Sequence, residues 1–299
     1  MPTDVVIVVV TYNSAEVIGG LLASLPAALG DLRYHVTVVD NGSHDRTVEV
    51  LAASPWVHRV VRSTNVGYAA GVNSGVAASP AAPAIVILNP DARLEPLSVP
   101  PMVARLGVNR VGVVAPAVTD PDGSVSRSLR RTPSLGRATG LGFTGWAVVS
   151  EYVDQEWAYR HAHPVEWALG AALAVDRTCY QDLNGWDESY FLYSEETDFC
   201  LRARDAGWRV MFEPSSRVMH IGGGSGRSDR THVMQIVNRV RLYRRRHGAL
   251  AGWAYYALTV ISECSWILRG HRTSRASVAA LLFPGRRPEE LAARHRVPT

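Results

Sequence analysis

DVVIVVV at residues 4–10 is an unbroken, largely β-branched run, the pattern of a strand buried on both faces. Thr11, Tyr12, Asn13 and Ser14 follow it, and Asn13 or Ser14 can cap a helix running to about Leu25. The same alternation then repeats. VTVV at 36–39 is a second short strand, ended by Asp40, Asn41 and Gly42, and a helix is predicted over 45–53. VHRVV at 57–61 reads as a third strand, 67–78 as a Gly/Ala-rich helix, and AIVIL at 84–88 as a fourth strand. Strands alternating with helices through short connections predict an α/β fold whose first half is a parallel sheet covered by helices. In such sheets ligands gather at the carboxyl ends of the strands. Those ends carry the polar groups here: Thr11-Tyr12-Asn13, Asp40-Asn41-Gly42-Ser43 and Asn89-Pro90-Asp91.

Beyond residue 110 the pattern loosens. A strand is predicted at 111–118, with the turn PDGS at 121–124. Residues 127–165 carry arginines, glycines and aromatics without clear periodicity, as a functional loop or lid does. Residues 171–176 are apolar again, 194–206 read as a helix closed by Gly207, and 208–212 as a strand leading to Pro214. From about Thr231 the chain reads as helical.

With 299 residues, 47% of them hydrophobic, the chain can build one large α/β domain or one domain plus an extension, and length alone does not separate the two. Its three cysteines, Cys179, Cys200 and Cys264, show no zinc spacing and are expected as buried small hydrophobes in a reduced compartment. The start, Met-Pro-Thr-Asp, lacks the features of a signal peptide, so a cytoplasmic location is expected. All 31 basic residues are arginine, and they crowd the C-terminal part at Arg239, Arg241, Arg244, Arg245 and Arg246. Such a patch suits nucleic acid, phosphates or an anionic membrane. The basic run is not interleaved with aromatics as single-strand binding requires, so no nucleic-acid partner is expected.

Three groups of residues carry chemistry. Asp91 closes the fourth strand. His220 also follows a strand and directly precedes Gly222-Gly223-Gly224-Ser225-Gly226-Arg227. Carboxylate plus imidazole suits Mn²⁺, and Mg²⁺ would be held by carboxylate and phosphate oxygens. The glycine run lets backbone N–H groups approach a diphosphate, with Arg227 adding charge. Glu195, Glu196 and Asp198 open the helix at 194–206. Asp198 pairs with Arg202 at i, i+4 as a structural contact. The two glutamates, preceded by the aromatic-rich Tyr190-Phe191-Leu192-Tyr193, combine dipole-favoured placement with an apolar setting in which a carboxylate can accept a proton.

Taken in order, VTYNS (10–14), VVDNGSHDRT (38–47), NVGYAAGVNSGV (65–76), ILNPDARL (87–94), WALGAALAVDR (167–177), GWDESYFLYSEETDFCLRARDAGW (185–208) and MHIGGGSGR (219–227) resemble the family 2 glycosyltransferases of GT-A fold. The likeness covers roughly residues 4–230 and is greatest to the bacterial branch that includes rhamnosyltransferases of cell-wall and polysaccharide assembly. It implies a Rossmann-like mixed sheet flanked by helices in a GT-A domain at 1–230, with a basic, amphipathic helical extension at 231–299. It also implies an inverting, metal-dependent hexosyltransferase. Such an enzyme moves a sugar, first rhamnose from dTDP-rhamnose, from a nucleoside-diphosphate donor to a hydroxyl of a glycan or lipid-linked acceptor.

Position by position, the resemblance gives Thr11, Tyr12 and Asp40 to the base and ribose, with Asn13, Asn41 and Gly42 beside them on the donor side. Asn65, Gly67 and Asn73 would shape the pocket near the nucleotide and sugar. Asp91 matches the last acid of the Asp-x-Asp metal motif and His220 the later metal ligand. Arg227 would face the diphosphate. Glu196 stands where the family places its catalytic Asp, with Trp167, Gly170 and Glu195 on the acceptor side. Two positions depart from the pattern. Asn89 replaces the first acid of the metal motif and is left to the ribose or donor sugar. Glu196 is one methylene longer than Asp, which leaves Glu195 and Glu196 both open as base.

Residues 249–268, ALAGWAYYALTVISECSWIL, are long enough as a helix to span a bilayer core, but a central glutamate argues against spanning. Thr259, Ser262 and Glu263 fall on one face, and Leu250, Trp253, Ala257, Val260, Ile261, Cys264 and Leu268 form a stripe opposite. Flanked by RRRH and RGHR, this helix can lie in the cytoplasmic membrane surface, or pack on the domain or on a second subunit. A dinucleotide enzyme is disfavoured because no GxGxxG follows the first strand, where that fold would need it. A nucleotidyltransferase would need a basic glycine-rich loop where TYNSAEV stands. The alternative from another class is a non-catalytic sugar-nucleotide-binding or membrane-associated protein on the same fold.

Overall fold

The computed structural model describes residues 2–222 and 228–292. Arg227 and the glycine-rich residues before it, 223–226, on which the expected diphosphate role falls, lie outside the described residues.

The opening run forms β1 (Val5–Thr11), and every one of its residues is buried. It is followed by α1 (Ala15–Leu29), β2 (Tyr34–Asp40), α2 (Thr47–Ala53), β3 (Arg59–Arg62), α3 (Tyr68–Ala78) and β4 (Ala84–Leu88). The four strands are parallel in the order β3-β2-β1-β4, with Val5 opposite both Tyr34 and Ala84. Alternate residues of β1 serve two cores. Val6, Val8 and Val10 face α3, while Val5, Ile7 and Val9 face α1. The small residues of α3 are required by that packing. A Cβ on Gly75 would stand 2.5 Å from Val8 Cγ1, and one on Gly71 2.8 Å from Val10 Cγ1. α1 runs past the expected Leu25 to Leu29, through Pro26, because Leu25, Ala28 and Leu29 are all wholly buried and anchor its last turn.

The second half converts the sheet to a mixed one. β5 (Ala92–Leu94), α4 (Val99–Arg105), β6 (Val111–Thr119), β7 (Leu129–Arg130), β8 (His163–Pro164), β9 (Trp167–Ala168), β10 (Ala172–Asp176), α5 (Arg177–Asp182), α6 (Glu195–Asp205) and β11 (Arg209–His220) follow. β10 inserts antiparallel between β4 and β6, and β11 lies parallel to β6. β11 is one twelve-residue strand rather than a stub stopping before Pro214. Its register shifts between Glu213 and Arg217, so the proline falls where the ladder is interrupted and its missing N–H costs nothing. The irregular reading of 127–165 holds: only β7, β8 and short 3₁₀ turns interrupt it.

The C-terminal helices are α7 (Asp229–Leu268), α8 (Thr273–Leu282) and α9 (Glu289–Ala292). α7 reverses at Gly248, whose φ of 79° no other residue type adopts as cheaply. Its two arms run antiparallel: Tyr255 stacks on Tyr243 with ring centroids 4.1 Å apart, and its hydroxyl accepts from Arg239 Nε at 2.7 Å. The expected basic patch is largely engaged in joining this unit to the sheet domain. Arg239, Arg245 and Arg246 form ion pairs with Glu151, Asp187 and Asp205.

The second arm of α7 faces the opposite way from a helix that buries its apolar stripe on its own domain. Thr259, Ser262 and Glu263, the polar face, are buried. Leu250, Ile261 and Leu268 are exposed by 88%, 62% and 90%, Trp253 and Ala257 are also exposed, and Val260 is half-buried. Cys264 is exposed as well, which corrects the expectation of three buried cysteines.

Candidate active site

The carboxyl ends of β1, β2 and β4 open into a cavity of about 1190 Å³, roofed by the 127–151 segment and the inner face of α7. Thr11, Tyr12, Asn13, Asn41, Asn65 and Gly67 lie on its sheet-side wall. The loops after β1 and β2 are tied together. Asn13, at φ 51°, donates its N–H to Ser43 Oγ at 2.9 Å and accepts from the His44 N–H at 2.8 Å. Asn41 donates its side-chain amide to the Gly67 carbonyl at 3.0 Å, leaving its own carbonyl oxygen buried without a partner among the described residues. Gly67 has φ 95°, and a Cβ there would meet the Phe191 carbonyl at 2.7 Å. The loop before α3 therefore sits directly against the segment that carries the glutamates.

Three expected donor residues stand off this wall. Asp40 is wholly buried behind Thr11, accepting from Thr11 Oγ1 and from the Ser43 N–H at 3.3 Å each, so its carboxylate closes the β2 turn. Gly42 lies on that turn, at φ 79°. Asn73 is engaged within the fold. Its amide donates to the Trp186 carbonyl and to Glu188, both at 2.9 Å, and its oxygen accepts from Tyr180 and the Trp186 N–H. It has no valence left for a ligand.

Asp91 and His220 meet through β5, a three-residue strand that the sequence did not announce. Ala92 pairs with His220 across β5 and β11, and this register places His220 Nε2 3.1 Å from Asp91 Oδ1. Burial raises the Asp91 carboxyl, but the hydrogen bond and charge of His220 and the backbone N–H groups of Asp91 and Gly222 outweigh it. The group sits below the ordinary range. Asn89 accepts from the Tyr68 hydroxyl at 2.9 Å. Tyr68 went unread within its motif. Burial, reinforced by the charges of Glu195, Glu196 and Asp91, pushes its hydroxyl well above a normal tyrosine.

Glu195 and Glu196 occupy the opposite wall at the first turn of α6. Each has one carboxylate oxygen buried without a partner among the described residues. Burial raises both carboxyls, and for Glu195 the neighbouring Glu196 adds to it. For Glu196, backbone groups at Glu196, Thr197 and Gly170 and the charge of Arg130 pull partly back. Gly170 gives Glu196 its space, since a Cβ there would lie 3.3 Å from the glutamate's own Cβ. Trp167 lines the same side, its indole donating to the Arg131 carbonyl at 3.0 Å. The two residues before the pair, Tyr193 and Ser194, hold φ of 67° and 73°, a strained pair of left-handed conformations. Asp198 is bonded to Arg202, as expected of a structural contact.

Residues 6–163 match the model of the family described as "Glycosyl transferase family 2". The chain is 32% identical over 300 aligned residues, 92% of its length and 95% of the relative's, to an N-acetylglucosaminyl-diphospho-decaprenol L-rhamnosyltransferase of Mycobacterium tuberculosis. The chain belongs to glycosyl transferase family 2.

The transferase also shares its fold with solved structures. It superposes on a Pyrobaculum calidifontis mannosyltransferase in complex with GDP-Man and Mn²⁺ with TM-score 0.58 and 17% identity, covering 98% of this chain and 85% of that one. A structure of GalNAc-T7 with UDP, GalNAc and Mn²⁺ matches at TM-score 0.59 and 14% identity, over 81% of this chain and about half, 48%, of that one. The GT-A arrangement of the transferase is thus shared with enzymes of remote sequence.

Proposed function

We propose that this transferase moves L-rhamnose from a nucleoside diphosphate, dTDP first, to a hydroxyl of a lipid-linked, sugar-bearing acceptor in cell-wall or polysaccharide assembly, with inversion at the anomeric carbon. The observation that carries it is the Glu195–Glu196 pair. Two carboxyls with raised proton affinity and unpartnered oxygens share a cavity with the strand-end loops and with Asp91 and His220. The rhamnose and the lipid-linked acceptor are supported by the name of the mycobacterial relative.

In the mechanism, a glutamate takes the proton of the acceptor hydroxyl while that oxygen bonds to the anomeric carbon. The bond from that carbon to the diphosphate breaks, and its electron pair leaves with the nucleoside diphosphate. Glu196, with Glu195 as the other candidate, is the base. Thr11, Tyr12, Asn13, Asn41 and Asn65 position the donor, and Trp167 and Gly170 shape the acceptor side. The carboxylate and imidazole of Asp91 and His220 already converge, which fits a divalent cation, Mn²⁺ or Mg²⁺, completed by donor oxygens. No group of three or more His, Cys, Asp or Glu side chains suited to a metal occurs among the described residues, so Asp91 and His220 would hold such an ion together with donor and water oxygens. Such an ion, when bound, supplies charge stabilisation for the leaving diphosphate.

We take 1–230 as the transferase unit and 231–299 as an extension that brings it to the cytoplasmic face of the membrane. No helix among the described residues is long and apolar enough to cross a bilayer. The outward stripe of α7 supports surface attachment instead.

The deciding test is release of nucleoside diphosphate from a panel of sugar nucleotides, with Mg²⁺, Mn²⁺ or EDTA, for wild type and Glu196→Gln. Metal-dependent release from one donor, lost in the variant, supports the proposal and names the sugar. Tight donor binding with no turnover on any acceptor would put a sugar-nucleotide-binding role in its place.

A further inference from the structure

The carboxylates that line the cavity fall into two classes. Asp91 faces His220, Glu151 pairs with Arg239, Glu263 with His232 at 3.1 Å, and Glu290 with Arg230. Among the described residues Glu195 and Glu196 form no ion pair, and each keeps one buried oxygen without a hydrogen-bond partner. The cations divide in the same way. Arg130 and Arg137 line the cavity, and neither forms an ion pair with a carboxylate among the described residues.

Both guanidinium groups are nevertheless held in place. Arg130 donates Nη1 to the Leu129 carbonyl at 3.0 Å and to the Arg127 carbonyl, and lies over the Tyr152 ring at 4.1 Å from its centre. Arg137 donates to the Thr132 carbonyl at 2.5 Å and to the Ala147 carbonyl at 3.3 Å. Half-buried cations fixed by neutral carbonyls keep their charge available to a ligand, and planar guanidinium suits phosphate oxygens. Burial lowers the Arg130 guanidinium because the folded protein alone does not compensate it fully.

Their place in the fold separates them from the donor loops. Arg130 pairs with Trp167 across β7 and β9, on the Glu196 side of the cavity. Arg137 lies in the turn Gly136–Thr139, next to Ala138, which packs in the apolar cluster of α7 and α8. The donor wall is built by the loops after β1, β2 and β4. We propose that Arg130 and Arg137 form a phosphate-binding subsite for the acceptor, so that the substrate is a sugar linked to its carrier through phosphate or diphosphate. This rests on the transferase function proposed above, and the polar inner face of α7 continues the same arm of the cavity with Thr259, Ser262 and His232.

The test uses the full chain and two acceptor probes, N-acetylglucosaminyl diphosphate with a short prenyl tail and the neutral alkyl glycoside of the same sugar. Binding constants are measured for wild type, Arg130→Gln, Arg137→Gln and the double variant, together with nucleoside-diphosphate binding and melting temperature. Wild type should prefer the diphosphate probe by roughly a hundredfold, with each substitution removing about tenfold of that preference and leaving the neutral probe unchanged. A preference that survives in the folded double variant overturns the proposal. So does a parallel loss of nucleoside-diphosphate binding, which would assign the cations to the donor. Failure of both probes to accept sugar, with the binding preference intact in wild type and lost in the variants, would instead sink the transferase function while the subsite stands.

Discussion

Asn238 of α7 donates its side-chain amide to the carbonyl of Tyr193 at 3.1 Å, and also reaches the Leu192 carbonyl at 2.9 Å. Tyr193 and Ser194 are the two left-handed residues that turn the chain into Glu195. A wholly buried asparagine of the extension thus pins the strained backbone on which the proposed base is mounted. The first arm of α7 supports the segment that carries the glutamates.

Asn238→Ala removes both bonds and leaves two carbonyls to find new partners. A misplacement of the glutamates by an ångström should lower kcat by about tenfold to a hundredfold. The fold should lose about 1–3 kcal/mol, the cost of leaving buried carbonyls unpaired. Turnover and melting temperature measured together test this. A kcat at the wild-type level in the folded variant would show that the pin does not set the geometry.

Glu195 and Glu196 carry raised proton affinities, chiefly from burial. The base must be ionised, so kcat/KM should rise with pH through a midpoint above the ordinary glutamate value. The stability consequence has the opposite slope. Below the unfolded value both states are protonated and there is no penalty. As pH climbs from the unfolded to the raised folded value, the unfolded chain ionises first and folding loses free energy. Glu195→Gln and Glu196→Gln should therefore melt higher than wild type at neutral pH. The one that is the base should lose roughly a hundredfold to ten-thousandfold in kcat. Paired melting and rate profiles across pH check both signs and choose between the two.

The contrast between what the sequence showed and what it hid has a physical basis. β1 and β4 were legible because strands buried on both faces must be continuously apolar, and α3 because its close approach to β1 demands glycine and alanine. The pairing of Asp91 with His220 followed from an acid and an imidazole at strand ends and from the family likeness, not from any visible local structure. Its cause is β5, three residues whose strand state comes from pairing with β11 and not from their own pattern. Asp40 and Asn73 illustrate the converse, since residue type fixes hydrogen-bonding capacity but not who uses it. The faces of 249–268 were correctly separated, yet which of them looks outward depends on the reversal at Gly248 and on the cavity beneath.

Asn89 stands where a second carboxylate would strengthen cation binding, and it already accepts from Tyr68. Asn89→Asp keeps an oxygen for that bond and adds a charge beside Asp91. The Mn²⁺ concentration giving half-maximal activity should fall by about tenfold. Asp91→Ala or His220→Ala should raise it at least as much, and EDTA should abolish turnover in every form. Activity that persists in exhaustively chelated wild type would remove the metal from the mechanism.

The outward stripe of α7 gives the last prediction. Leu250, Ile261 and Leu268 are exposed on a helix whose polar residues Thr259, Ser262 and Glu263 are the buried ones. Substituting the three exposed side chains by serine removes little packing, so the melting temperature should stay within the effect of about 0.5 kcal/mol typical of surface changes. Partition to a membrane surface should suffer far more, because each buried leucine or isoleucine contributes about 1.5–3 kcal/mol. Co-sedimentation with anionic vesicles should accordingly drop by two or more orders of magnitude, at about 1.4 kcal/mol per decade. Rhamnosyl transfer to a lipid acceptor in vesicles should fall with it, while transfer to a short-chain soluble acceptor should not. If vesicle binding is unchanged but a dimer of wild type becomes a monomer in the triple variant, the stripe joins two copies of the chain, and membrane recruitment must be sought elsewhere.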